Sequence, residues 1–137
     1  METKKYPLVT YSKESGSNIV YCEYNPKLKI DLLVARELTH YYHDFTANAP
    51  IFLIADFSGI EQISAEAKLY WESEETRITN LLGVAFIASN PVSALIANLF
   101  VKKPRAVPLK YFSDKRAALI WIKEMKETQS LNEKSGS

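Results

Sequence analysis

Residues 51–60 read IFLIADFSGI, five apolar residues closed by Asp56 and followed by Phe-Ser-Gly-Ile. An unbroken apolar run of this length, without a polar residue at every second position, is the pattern of a strand covered on both faces. Residues 82–88, LGVAFIA, repeat it. Segments with helical periodicity separate the strand-like runs, so the connections are crossovers long enough to keep neighbouring strands parallel and right-handed. The spacing therefore predicts an α/β fold with a mostly parallel central sheet and crossover helices.

Working outward, residues 6–11 and 18–24 are strand-like and flank the turn-rich SKESGS, which suits an N-terminal antiparallel hairpin. Asp31 is placed to cap a helix with Val34, Leu38, Tyr41, Tyr42 and Phe45 on one side, and Asn48-Ala49-Pro50 ends it. Ser64 opens a second helix with Ala67, Tyr70, Trp71 and Ile78 inward and Glu66, Glu72, Glu75 and Arg77 toward water. Residues 81–101 carry no charge and are long enough to span a bilayer, but Ser89-Asn90-Pro91 divides them into a strand and a capped helix, so no membrane span is expected. That third helix, residues 91–103, is expected to bury Val92, Leu95, Ile96, Leu99 and Phe100. The strand VPLKYF follows, then a helix capped by Ser113 or Asp114 that carries Ala118, Trp121, Ile122 and Met125. Residues 1–126 form one expected domain, and residues 127–137 a disordered tail.

A length of 137 residues with 47% hydrophobic and 24% charged residues supports one buried core, and a net charge of +1 gives no field that would gather nucleic acid. The lone Cys22 has no internal disulfide partner, and the opening METKKYPLVT lacks the apolar core of a signal peptide, so a cytoplasmic location is expected. Neither His40 nor His43 is placed by sequence to activate Cys22 as a nucleophile. His40, His43 and Asp44 on one helix suggest a metal site less well than a solvated helix face. No glycine-rich phosphate loop, G-x-S-x-G elbow or H-E-x-x-H occurs. No cofactor and no metal are expected, and a non-enzymatic protein is the reading.

In an open parallel sheet, ligands bind beyond the carboxyl ends of the strands, where Asp56, Ser58, Ser64, Ser89 and Asn90 fall. Ser64 and Asn90 also stand at helix N-termini, which favour anions. The plainer reading is that these are turn and cap residues, with Asp56 accepting hydrogen bonds from the amides of Ser58 to Gly59. The Lys102-Lys103-Pro104-Arg105 cluster could meet a phosphate or headgroup, although cations are expected at a helix C-terminus.

FLIADFSGIEQIS resembles the strand and loop before the key helix of STAS domains, the fold of anti-sigma factor antagonists. AFIASNPVSALIANLFVKK followed by VPLKYFSDKRAALIWIKE is similar to their SpoIIAA-like relatives, so the resemblance covers residues 18–126. It implies regulation through a protein partner, with contacts around Asp56, Ser58, Ser64, Glu66, Ser89 and Asn90 and with a homodimer left open. Where phospho-switched members carry Asp-Ser-Ser-Gly, this chain has Ser64-Ala65-Glu66-Ala67, with Glu66 at the acceptor serine's place. Likeness of these relatives to the CRAL-TRIO lipid-transfer fold implies an alternative, a small apolar or lipid ligand held against Leu95, Leu99 and Phe100. A receiver-like phosphoacceptor site is a further alternative. It would use Asp56, Ser89 and Lys110, but only Glu23 is available for its acidic pair.

Overall fold

The protein is described from a computed structural model covering residues 1–75, 80–101 and 107–135. Its sheet begins with three antiparallel neighbours, β1 (Glu2–Lys5), β2 (Val9–Lys13) and β3 (Ile19–Tyr24). It continues in parallel through β5 (Ile51–Asp56), β7 (Leu81–Ile87) and β8 (Leu109–Phe112), giving the order β1-β2-β3-β5-β7-β8. The short strands β4 (Leu28–Ile30) and β6 (Ile60–Ile63) pair in parallel beside it. The α/β class, the mostly parallel sheet and the N-terminal hairpin agree with the expectation. The strands β1, β4 and β6 were not anticipated: β1 has no apolar residue, and β4 and β6, three and four residues long, are too short for their pattern to stand out.

The central strands bury both faces, as their apolar runs require. From β5, Ile51 and Ala55 join the core under α1 (Leu32–Thr46), α2 (Ala65–Glu75) and α3 (Pro91–Val101). Phe52 and Ile54 of the same strand meet Ala118 and Ile122 of α4 (Lys115–Ser135) on the opposite face. Asp31 caps α1 by accepting from the Val34 amide at 2.9 Å, and Ala47 ends it in the left-handed region at φ 50°. Ala67, Tyr70 and Trp71 turn inward on α2 as expected.

Helix α3 seats differently from the expectation. Its buried side is Ser93, Ile96, Ala97 and Phe100, while Val92 is 47% and Leu95 66% exposed. In a helix that is apolar nearly all round, hydrophobicity sets no preferred face. The small Ser93 and Ala97, both fully buried, let the helix approach the sheet closely. Helix α4 runs to Ser135 rather than ending near residue 126. The Gln129 side chain helps to hold this extension by donating to the Leu82 carbonyl at 3.3 Å. Ile78, Arg77 and the Lys102-Lys103-Pro104-Arg105 cluster lie outside the described residues.

Candidate functional site

The rim above β5 and β7 is organised by side chains that close turns. Asp56 accepts from the Ser58 amide at 2.9 Å, the Asx turn expected of a strand exit, and the Ile60 amide donates to the Phe57 carbonyl at 2.9 Å. The loop meets the one after β7 through hydroxyls: Ser58 Oγ and Ser89 Oγ stand 2.6 Å apart. Asn90 Nδ2 donates to the Ser58 carbonyl at 3.0 Å, while Asn90 Oδ1 caps α3 by accepting from the Ser93 amide at 2.8 Å. Gly59 is required here because a Cβ would lie 2.5 Å from the carbonyl oxygen of Tyr24 at the end of β3 and 2.8 Å from that of Asn25.

An open cleft of about 250 Å³ lies beside this junction, bordered by Lys27, Ser58, Glu61, Asn90 and Val92. Lys27, in the left-handed region at φ 60°, and Glu61 were not singled out from the sequence. The Asn25-Pro26 dipeptide was the available signal, since it marks a turn. Asp56 also borders a polar hollow of about 130 Å³ that includes Glu23, its direct register partner, and Lys115.

Sequence candidates thus fall into separate places. Ser58, Ser89 and Asn90 come together, with Asp56 holding their loop. Ser64 stands apart at the start of α2, where its Oγ accepts from the Ala67 amide at 3.1 Å and its amide donates to the Ile30 carbonyl at 2.9 Å. Glu66 is exposed in the first turn of α2, but Glu72 is not turned freely to water. It accepts from Lys68 Nζ at 2.7 Å with its side chain 15% exposed. The Glu75 side chain lies outside the described residues.

The three residues expected to hold an apolar ligand, Leu95, Leu99 and Phe100, take different places on α3, with Leu99 half-buried. Leu95 points outward, and Phe100 is core, with ring centroids 5.9 Å from Trp71 and 6.0 Å from both Phe57 and Phe86. Lys110 on β8 is level with Ala85, and its Nζ lies 5.4 Å from the Phe112 ring centroid, whereas Asp56 lies two strands away on β5 and is level with Ile87. That arrangement does not set Lys110 beside Asp56.

Two other candidates are engaged or silenced. Asp44 accepts from Tyr6 at 2.6 Å and from Lys4 at 2.9 Å, and these two contacts lower its pKa, Tyr6 contributing most. Among the described residues no three His, Cys, Asp or Glu side chains gather as metal ligands. Burial pushes the Cys22 thiol up to about 12, so it stays protonated at neutral pH.

Residues 12–126 match the family model described as a domain of unknown function, DUF7793. The chain belongs to the DUF7793 family. This DUF7793 chain is also similar to the crystal structure of an uncharacterized protein of the DUF3478 family, described as having a SpoIIAA-like fold, from Shewanella loihica PV-4. The two share 19% identity at a TM-score of 0.58, over 88% of this chain and 98% of the other. The DUF7793 chain therefore has a SpoIIAA-like fold. None of the curated proteins compared with it matches its sequence. Among the described residues no helix is long and apolar enough to cross a membrane.

Proposed function

We propose that this DUF7793 protein is a non-catalytic regulator of STAS type that works by binding a protein partner through the outer side of α2 and the adjoining loop after β5. The observation that carries this reading is Leu69, which is 62% exposed on α2, three residues after the exposed Glu66 and so on the same side of the helix. A large apolar side chain held in water on a helix of otherwise polar exterior, with a carboxylate beside it, suits an interface with a hydrophobic centre and a polar rim. Permanent charge at Glu66 takes the place of a phosphorylation switch, so binding is constitutive or controlled by the partner. Ser58, Ser89 and Asn90 give the neighbouring loop a fixed shape rather than a reactive group. A reducing compartment such as the cytoplasm suits the lone, buried Cys22.

The test compares proteins retained from native lysate by the parent chain and by Leu69→Asp. Loss of a specific partner with an unchanged melting temperature supports the reading. An identical retained set from both chains, or co-purified lipid with no specific protein, refutes it.

A further inference from the structure

Along the outer side of α3, Val92 and Leu95 are exposed and Leu99 is half-buried. They follow one another at spacings of three and four residues, so they form one stripe. Asn98, also half-buried, borders the stripe, and no residue of the helix is charged. A helix that is apolar nearly all round is ordinarily covered nearly all round. Here the domain covers only the side of Ser93, Ile96, Ala97 and Phe100.

The charges at the ends of the helix indicate what completes the cover. At the N-terminal end, Lys27 and Glu61 border the open cleft beside Val92. Both are exposed, and neither forms an ion pair among the described residues. The C-terminal end of a helix carries partial negative charge, which suits Lys27, and a cation just beyond such an end suits Glu61. Helix α3 supplies both features: its described end is Val101, and the sequence continues Lys102-Lys103. The N-terminal end of one α3 is therefore complementary to the C-terminal end of another. The stripe itself is uncharged and matches its own reversed copy, with Leu95 near its middle. A net charge of +1 opposes association of two such chains only slightly.

We propose that α3 is a homodimer interface, with two copies of the chain packing their α3 helices antiparallel about a two-fold axis at Leu95. Leu95 meets Leu95 of the second copy, and Val92 faces its Leu99. One patch thus serves both copies, as a two-fold interface requires. The cleft beside Val92 leaves room for the end of the second helix. The patch is small against the area that a permanent dimer buries, so dimerisation is reversible and the monomer prevails in dilute solution. This surface is separate from the Leu69 side of α2 and does not rest on the function proposed above.

Sedimentation equilibrium of the full chain over a concentration series reads the dimer directly. The expected result is a reversible monomer–dimer equilibrium that Leu95→Asp weakens by about tenfold or more, with the monomer's melting temperature unchanged, and that Leu69→Asp leaves intact. Leu95→Cys locates the axis: mild oxidation should link two copies through this residue, whereas Ile120→Cys, exposed on α4 across the sheet, should remain unlinked. A chain that stays monomeric up to millimolar concentration overturns the proposal, as does a dimer that forms equally well from Leu95→Asp or is linked as readily through Ile120→Cys. Sedimentation of the monomer with phosphatidylcholine vesicles, lost in Leu95→Asp, would assign the stripe to a lipid surface and overturn it too.

Discussion

Helices α2 and α3 are each 11 residues long and cover the same side of the sheet, touching through Trp71 and Phe100, yet they bury themselves by different means. In α2 the polarity is divided: Ala67 and the rings of Tyr70 and Trp71 face the core, Glu66 faces water, and Lys68 pairs with Glu72 along the flank. No residue of α3 is charged, and its seat is decided by Ser93 and Ala97, whose size lets the backbone come close, with Ile96 and Phe100 filling the space on either side. The larger Leu95 is left outside. Close approach of small residues, which maximises contact for the whole helix, outweighs burial of any one large side chain.

The strongest test of that contrast is Phe100→Ala against Leu95→Ala. Removing the Phe100 ring should cost about 3–5 kcal/mol in urea unfolding, because it leaves a cavity among Trp71, Phe57 and Phe86. Leu95→Ala should stay within about 0.5 kcal/mol. A large loss from Leu95→Ala would reverse the two faces of α3.

The caps sharpen the comparison. Asn90 caps α3 and also holds the Ser58 carbonyl, whereas Ser64 only caps α2 among its side-chain contacts. Asn90→Ala should therefore cost up to about 2 kcal/mol and Ser64→Ala about 1 kcal/mol, both read from chemical denaturation midpoints. Equal losses would mean that the link between the two loops contributes little. Asp56→Asn retains an acceptor for the Ser58 amide and should cost less than about 1 kcal/mol while leaving partner capture intact.

The smallest effect belongs to a third region, where Asp44 fastens β1 and the Tyr6 turn to α1. Its pKa is lowered in the folded protein, so its contribution is present above the ordinary carboxylate value and fades as pH falls below about 3.8 through the folded value. Both partners are exposed at the surface, so the change should be slight. Melting curves of the parent and Asp44→Asn should differ at neutral pH and converge in acid; a constant gap would remove the carboxylate's charge from the explanation.

Residues 51–60 and 82–88 carried most of the fold in one dimension, since unbroken apolar runs have few folded uses other than central strands. The Asx turn at Asp56 and the caps at Asp31, Ser64 and Asn90 were equally legible, because each depends on a partner no more than three residues away. The charged strand β1 left no such mark because it carries no apolar residue on either face, and the short pair β4 and β6 left none because they pair across about thirty residues of chain. The same holds for the end of α4, where helix-forming residues give no warning that Gln129 will find Leu82.

Local sequence by itself determined the alternation of strands and helices, the positions of the turns and the absence of a phosphoacceptor hydroxyl at Glu66. Only the tertiary structure decided which side of α3 is core, that Ser58 and Ser89 meet, and that Leu69 stays in water. The division has one physical cause: turns and caps are closed by neighbours in the chain, whereas burial depends on how closely separate elements can approach, which no single stretch of residues contains.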